Sequence, residues 1–159
     1  MIPKLLLVAG LLLTTSTGLV AQGELSAADS SEVANHVITD TEFARFASVI
    51  ERMDSVYRSN PYAFRDLKEG KPELPVALSY LASRYETHVA MGAELRRVGM
   101  TGREFFLVAA ALVNARRTAN SNDPSAADGL SATEIANLRL AQCRSPQISR
   151  LFTILRTVS

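Results

Sequence analysis

The chain has 159 residues and a formal net charge of +1, with 47% hydrophobic and 21% charged residues. This length suits one domain with a hydrophobic core rather than two domains. A near-neutral chain without a basic run is not expected to bind nucleic acid. Cys143 is the only cysteine, which excludes an intramolecular disulfide.

The first 21 residues have the layout of a secretory signal peptide. Lys4 supplies a short positive region, and an apolar run at residues 5–13 precedes small polar residues at 14–18. The apolar run is shorter than the roughly 20 residues that a membrane span needs. Cleavage is expected after Ala21, with Gly23 as the second choice; an uncleaved anchor and a buried N-terminal helix are the alternatives. The protein is therefore predicted to be periplasmic or secreted, with no stable membrane span after cleavage.

Residues 22–38 are predicted to form a flexible acidic leader, followed by one helical domain at residues 39–159. Between residues 22 and 42 the chain has five acidic residues and no basic one. Small and polar residues dominate this stretch, and its weak periodicity indicates only a short helix near residues 31–37.

The first helix of the domain is predicted to begin at a capping box formed by Thr39 and Glu42. Pro61 ends this helix, since the residue before a proline avoids helical geometry. It also opens a short helix at residues 61–69, which Gly70 closes. The apolar residues of the first helix recur at alternating steps of three and four, as on one helical face: Phe43, Phe46, Ile50, Met53 and Tyr57.

Residues 74–98 show a helical periodicity that is interrupted near Thr87. One long helix and two helices joined at Thr87 are both compatible with this pattern. A break is favoured, because a threonine there can cap a new helix. The apolar positions are Leu74, Leu78, Leu81 and Tyr85 before the interruption, and Met91, Leu95 and Val98 after it.

A tight junction between two helices is predicted just before the longest apolar run of the mature chain. Gly99 suits the left-handed end of the first helix. Thr101 and Glu104 have the spacing of a capping box, and Met100 and Phe105 occupy the positions of a hydrophobic staple across it. One helix is therefore expected to stop here and another to start.

The helix that starts at this junction is predicted to be the centre of the fold. The run at residues 105–115 is apolar on every side except at Asn114. A helix that is apolar all round is usually surrounded by other helices. We therefore predict that residues 102–117 form the central helix.

A surface loop is predicted at residues 118–129. After it, Ser131 and Glu134 are predicted to form a third capping box that opens a helix, and Leu130 and Ile135 have the spacing of the hydrophobic staple across that box. Burial as a small hydrophobic side chain is the expected state of the lone cysteine. The positions expected to face inward are Ile135, Leu138, Ala141 and Cys143.

The last helix is predicted to begin at Ser145 and Pro146, as its cap and first residue. No stretch alternates apolar and polar residues over a strand length, and no internal repeat is present. The fold class is therefore predicted to be all-α, an irregular bundle of five to seven helices around the central helix. The apolar face of the last helix comprises Ile148, Leu151, Phe152, Leu155 and Val158.

The junction and the C-terminal part resemble a group of small secreted or periplasmic bacterial proteins that are all-helical and of unknown function. In that group a helix ends in Gly-Leu-Thr/Ser, and an Arg-Glu-aromatic step opens an apolar helix. The matching residues are Gly99, Met100, Thr101, Arg103, Glu104 and Phe105, with methionine in place of the usual leucine. Residues 130–155 are similar to the C-terminal part of the group. The resemblance implies a helical fold and export, and no activity.

No catalytic residue, cofactor-binding residue or metal ligand is predicted. Glu32 and His36 are one helical turn apart, but a metal site needs a third ligand, and none lies at a telling spacing. His88 is expected at the surface or in a helix cap. The sequence has no Gly-x-Ser-x-Gly elbow and no glycine-rich phosphate loop. Cys143 lies at a helix end, where the helix dipole disfavours a thiolate.

Arg103 is the one candidate interaction residue, because a positive charge in the first turn of a helix is unfavourable. It is expected to pair with a carboxylate from another helix; the alternative is that it faces a ligand or partner. The chain after residue 130 is basic, whereas the leader is acidic. This asymmetry indicates either internal complementarity or a patch for an acidic partner or a membrane surface. The basic residues are Arg139, Arg144, Arg150 and Arg156.

Three functions are compatible with these patterns. The leading hypothesis is an exported, non-enzymatic protein that binds a partner or ligand. The second is a small carrier with an apolar cavity beside Phe105, Phe106 and Met91. The third is an enzyme with scattered catalytic residues. An open apolar surface would favour a partner, and a closed cavity of a few hundred Å³ would favour a ligand.

Overall fold

The computed structural model describes residues 25–68 and 76–158. These residues form eight α-helices, one 3₁₀ turn at Pro124–Ala127 and an isolated parallel bridge between Leu25 and Val76, without a β-strand. The helices are α1 (Ala27–Asn35), α2 (Asp40–Ser59), α3 (Arg65–Lys68), α4 (Leu78–Thr87), α5 (Val89–Val98), α6 (Gly102–Ala119), α7 (Ala132–Cys143) and α8 (Ser145–Val158).

The predicted all-α class is confirmed, but the described helices exceed the expected five to seven because α1 was not counted among them. Residues 1–21, the two candidate cleavage sites, Gly70 and Leu74 lie outside the described residues. Of the helix predicted at residues 61–69, the described residues 61–68 contain a turn followed by the four residues of α3.

The three predicted capping boxes are present. The N–H of Thr39 donates to the Glu42 carboxylate over 2.8 Å, and the N–H of Thr101 donates to Glu104 over 2.7 Å. In the third box the N–H of Ser131 donates to the Glu134 carboxylate over 2.8 Å. In each box the Thr or Ser hydroxyl accepts from the glutamate N–H in return. Each box satisfies N–H groups that the helix start leaves free.

The break in residues 74–98 is confirmed, but its capping residue differs from the prediction. α4 ends at Thr87, whose hydroxyl donates back to the Ser83 carbonyl over 2.7 Å. His88 caps α5 instead, and its Nδ1 accepts from the N–H of Met91 over 3.2 Å. Thr87 could not serve as the cap because its hydroxyl is committed to the helix that ends there.

Two glycines allow α4, α5 and α6 to approach one another closely. A Cβ atom on Gly92 would lie 2.2 Å from the Glu86 carbonyl oxygen, and one on Gly102 would lie 2.6 Å from the Ala82 carbonyl oxygen. Both distances are shorter than side chains allow, so only glycine fits. Gly99, with φ of 66°, supplies the left-handed end of α5 that the sequence predicts.

α6 is the central helix, as predicted, and extends two residues beyond the expected end. It packs against α1, α2, α4 and α7. Its Phe105 ring lies 5.0 Å from Phe46 of α2, and its Phe106 ring lies 4.6 Å from Tyr85 of α4, measured between centroids. Its buried residues are Gly102, Phe105, Phe106, Leu107, Val108, Ala109, Ala110, Ala111, Leu112 and Ala115.

The apolar faces of α2 and α8 agree with the sequence patterns. All five predicted residues of α8 are buried. In α2 the same holds for Phe43, Phe46, Ile50 and Met53, whereas Tyr57 is half-buried. These two helices pack against each other and close one side of the core.

The prediction for the inward face of α7 is confirmed at Ala141 and wrong at Ile135, and the predicted burial of Cys143 is wrong. The thiol is exposed, and Ile135 has 37% of its surface exposed. The buried residues of α7 are Ala141 and a polar residue, Asn137. The apolar residues of α7 are spread around the helix and do not favour one face, whereas the hydrogen bonds of Asn137, described below, hold the observed face against α1.

The prediction of a flexible leader is wrong for residues 25–38. α1 covers nine of these residues, and the side chains of Leu25, Val33 and Ile38 are buried in the core. These three apolar residues are too widely spaced to form an apolar stripe along a helix. The segment therefore looks flexible from its polar composition, although it is packed in the structure. The three side chains are nonetheless enough to seat the segment against α6 and α7.

No single described helix is long and apolar enough to cross a membrane. α5 and α6 meet the length and composition criteria only when taken together, with a bend of 85° between them.

Candidate functional site

Arg103 lies against the acidic residues of α1. Its Nε donates to Glu32 Oε1 over 3.2 Å, and its Nη2 contacts the other oxygen of the same carboxylate. Asp29 Oδ1 lies 3.7 Å from the same nitrogen. Arg103 therefore pairs with a carboxylate of another helix, which is the first of the two roles expected from its sequence position. A two-pronged contact of this kind fixes orientation as well as charge.

Asp29 connects this cluster to a third helix. Its Oδ2 accepts from the N–H of Leu78, the first residue of α4, over 3.0 Å, and from the Ser26 hydroxyl over 2.7 Å. The residue that precedes α4, Ala77, has no side chain able to cap it. A carboxylate of α1 therefore supplies the cap of α4, where negative charge is favourable.

Asn137 fastens the other end of α1 and was missed by sequence reasoning. Its Oδ1 accepts from the N–H of Ile38 over 2.9 Å, and its Nδ2 donates to the carbonyl of His36 over 2.8 Å. The side-chain amide thus pairs with the backbone as a neighbouring strand would. Asn137 is 5% exposed. No sequence signal distinguishes it from a surface asparagine.

A small cleft opens between α1, α6 and α7, and we call it the α1–α6–α7 cleft. Its cavity volume is about 30 Å³, enough for one or two water-sized groups. Its lining combines small apolar and polar side chains: Val33 and Ala34 of α1, Ala111, Asn114, Ala115 and Thr118 of α6, and Leu130, Glu134 and Asn137 at α7. It holds both an apolar floor and several hydrogen-bonding groups.

The region beside Phe105 and Phe106, where the carrier hypothesis places a cavity, is closely packed. The two rings lie 5.5 Å apart, edge to face, and the rings of Phe46 and Tyr85 lie against them. Met91 has no exposed surface.

Among the described residues, two large apolar side chains are far more exposed than the others. Tyr62 is 75% exposed and Val89 is 86% exposed. The buried Phe64, two residues after Tyr62, stacks on His88, the neighbour of Val89, with 5.9 Å between ring centroids. We call this region the Tyr62–Val89 surface.

The backbone on both sides of this surface is held by hydrogen bonds. The N–H of Tyr62 donates to Asn60 Oδ1 over 3.1 Å, and its carbonyl accepts from the N–H of Arg65 over 3.1 Å. Val89 follows the His88 cap of α5. Both side chains are therefore presented from segments with a fixed conformation.

The structure does not bring Glu32 and His36 together as metal ligands. Glu32 pairs with Arg103, whereas His36 Nε2 lies 3.4 Å from Glu42 Oε1. Among residues 25–68 and 76–158, no group of three His, Cys, Asp or Glu side chains has a metal-binding arrangement. Burial opposes ionisation of Glu42, but hydrogen bonds from Thr39 and the charges nearby outweigh it and lower the pKa of Glu42.

His88 caps α5, which is one of the two roles that the sequence predicts for it. Burial lowers the pKa of His88; the charge of Asp66 raises it, and that of Arg84 lowers it. The neutral form is the one that caps α5, because Nδ1 must carry a lone pair to accept from Met91.

Glu94 is a second buried polar residue, at 6% exposure. Its Oε2 has no hydrogen bond and lies 4.0 Å from Arg52 Nη1, and its Oε1 lies 3.8 Å from Arg97 Nη1. Both arginines remain partly exposed. The two positive charges compensate the buried carboxylate.

The basic C-terminal part is complementary to α2. Arg144 pairs with Asp40 over 2.9 Å and lies over the Phe43 ring, 5.0 Å from its centroid. Arg150 lies 3.6 Å from Glu51. The contact between Arg144 and Asp40 is an instance of the internal complementarity that the charge asymmetry predicts, whereas Glu51 lies outside the acidic segment.

Comparison with family models, curated proteins and solved structures finds no match. The resemblance to small secreted helical proteins therefore stays a prediction.

Proposed function

We propose that the chain is an exported, non-enzymatic protein that binds a partner protein through the Tyr62–Val89 surface. The observation that carries this proposal is the exposure of two apolar side chains, 75% and 86%, on fixed backbone. The contact between Phe64 and His88 brings the chain segments of Tyr62 and Val89 together, and an exposed apolar patch is typical of an interaction site. Tyrosine is enriched among the residues that dominate binding energy.

The fixed backbone favours binding because little conformational freedom is lost on association. The Tyr62 turn is held at its N–H and its carbonyl, and Val89 lies in the first turn of α5. Export is supported by the order of charge, apolar run and small residues at positions 1–23. Mass spectrometry of the periplasmic or secreted protein tests it, with a mature form beginning near Gln22 as the expected result.

A photo-reactive amino acid at position 62 or 89 tests the binding surface in cells that produce the protein. Position 135 is the matched control, since Ile135 is also an exposed apolar residue but lies on α7. The expected result is a cross-linked product of one size from positions 62 and 89, and none from position 135. With the partner isolated, Tyr62→Ser should weaken binding by about tenfold or more, and Ile135→Ser should not.

Three results would contradict the proposal. Cross-linking from all three positions would indicate nonspecific contact, and its absence from positions 62 and 89 would leave the surface without a partner. Sedimentation with lipid vesicles that is lost in Tyr62→Ser would assign the surface to a membrane instead. A functioning protein with an intact N-terminus at residues 1–13 would contradict export.

A further inference from the structure

The α1–α6–α7 cleft has a floor and walls of different chemistry. Val33, Ala111 and Ala115 form the floor and are buried. Asn114, Thr118 and Glu134 are half-buried and line the same cavity. Polar groups around a small apolar floor can orient a ligand whose head is polar and whose stem is apolar.

The polar side chains of the cleft retain capacity to accept hydrogen bonds. Glu134 uses Oε2 to accept from Ser131, and its Oε1 has no partner among the described residues. The Thr118 hydroxyl donates to the Asn114 carbonyl over 3.3 Å, which leaves its oxygen free to accept. The Asn114 amide oxygen also has no described partner. Three acceptors thus line one cavity of about 30 Å³.

The fourth polar residue of the cleft, Asn137, is already engaged. Both ends of its amide bond the backbone of His36 and Ile38. It therefore holds α1 against α7 and fixes the shape of the cleft rather than contributing a free acceptor.

The charge of the cleft is negative. Glu134 is its only charged side chain among the described lining residues, and it has no ion pair. A cation is therefore favoured over an anion. A primary ammonium group is close to water in size and donates three hydrogen bonds, which matches both the volume and the number of acceptors.

We propose that the α1–α6–α7 cleft binds a primary alkylammonium group. The ammonium is held by Glu134, Thr118 and Asn114, and the first methylene group lies against the half-buried Leu130. A free alkylamine and the side chain of a lysine present the same chemistry, and the cavity accommodates only this end of either. This site is independent of the Tyr62–Val89 surface.

The proposal gives a role to a residue that helix formation does not explain. Asn114 interrupts an otherwise apolar run of the central helix, and asparagine is a weaker helix former than the residues around it. Its amide lies in the cleft without a described partner. Glu134 is accounted for as a cap, but capping uses only one of its two oxygens.

Titration of the ¹⁵N-labelled protein with n-butylammonium chloride, followed by NMR at constant ionic strength, tests the site. We expect saturable shifts of the Asn114 side-chain amide and the Glu134 backbone amide. n-Butanol has the same stem without charge, and tetramethylammonium has the charge without N–H donors. Neither should produce saturable shifts at these two groups.

Glu134→Gln separates the charge of the glutamate from its capping role, since glutamine also forms capping boxes. This variant should weaken butylammonium binding by about tenfold, as expected for loss of a charge-assisted hydrogen bond. The matched control is Glu104→Gln, which makes the same change in the capping box of α6. Glu104 does not line the cleft, so the control should bind as the wild type does.

A peptide with one lysine, compared with the same peptide acetylated at the lysine nitrogen, distinguishes the source of the amine. Binding of the unmodified peptide alone points to a lysine, and binding of butylammonium alone points to a free amine; either result supports the proposal. Absence of saturation by both up to about 100 mM, where a site of a few mM would be filled, overturns it. Equal affinity in wild type and Glu134→Gln also overturns it.

Discussion

The starts of α6 and α7 have the same local design and different outcomes. Each follows a glycine with positive φ, Gly99 at 66° and Gly129 at 76°, and each opens with a complete capping box. The staple residues of α6, Met100 and Phe105, are 4% and 1% exposed. Neither of the corresponding residues of α7, Leu130 and Ile135, is fully buried.

At α7, Leu130 is half-buried in the cleft and Ile135 is 37% exposed. The capping box positions the first turn of a helix, but it does not determine which face of the helix is buried. That choice depends on the neighbours. α6 is apolar on nearly every side, so any rotation buries it, whereas α7 is turned by Asn137.

The largest expected effect tests the buried staple of α6 against the exposed one of α7. Phe105→Ala should destabilise the protein by about 3 kcal/mol or more, because it removes a large buried ring and leaves a cavity. Ile135→Ala should change the free energy of unfolding by less than about 0.5 kcal/mol. Urea unfolding at fixed pH measures both. Similar losses in the two variants would mean that α7 buries the face predicted from its apolar residues.

The second effect tests whether Asn137 sets the rotation of α7. Asn137→Ala should cost about 2 kcal/mol, since it leaves the buried N–H of Ile38 and the partly buried carbonyl of His36 without partners. Hydrogen exchange of the Ile38 amide should become faster. Asn122→Ala is the control, because Asn122 is exposed in the loop before α7. Unchanged exchange at Ile38 would contradict the assignment.

The third effect isolates the local contribution at the start of α6. Thr101→Ala should cost about 1 kcal/mol, because the N–H of Glu104 loses the hydroxyl that accepts from it over 3.1 Å. Thr101→Ser keeps this oxygen and should cost much less. The order Phe105→Ala, Thr101→Ala, Thr101→Ser by urea unfolding is therefore expected. An Arg103→Ala variant that is strongly destabilising while Thr101→Ala is silent would show that the ion pair, not the cap, holds this junction.

Caps and regular apolar stripes could be predicted because their signals are local. The boxes at Thr39, Thr101 and Ser131 need only residues three apart, and α8 repeats its stripe over four turns. The His88 cap is also local, but histidine lies outside the usual capping residues. Its position was therefore predicted one residue too early.

The candidate sites could not be predicted in the same way, because their contacts join distant parts of the chain. Asn137 bonds Ile38 across 99 residues, and Asp29 caps Leu78 across 49. No periodicity encodes such pairs. Arg103 was identified only because its charge is unfavourable at a helix start, a local anomaly that pointed to a distant partner.

A smaller effect is expected from pH, at the one histidine cap. Burial lowers the pKa of His88 from its ordinary value of 6.5, so the folded state favours the neutral form. The neutral His88 cap contributes its full stability to the fold above about pH 6.5. This contribution is lost as pH falls through the pKa of His88 in the folded state, because the unfolded chain then binds more protons than the folded one. His88→Asn keeps a capping oxygen without titrating. Stability of the wild type should fall more than that of His88→Asn between pH 7.5 and 5, as measured by thermal unfolding, and parallel curves would contradict this.

The smallest effect on stability is expected at Cys143, where the comparison between the two helices is most direct. The thiol is exposed, since the face of α7 that holds Asn137 is the buried one and Cys143 lies outside it. Cys143→Ser should therefore change the free energy of unfolding by less than about 0.5 kcal/mol. A thiol reagent should label the native protein at a rate close to that of the urea-unfolded chain. Slow labelling of the native wild type would instead place the thiol inside, on the face that the apolar residues predict. Fast labelling of the wild type that becomes slower in Asn137→Ala would show that one buried amide determines the face of a helix that its apolar residues leave undetermined.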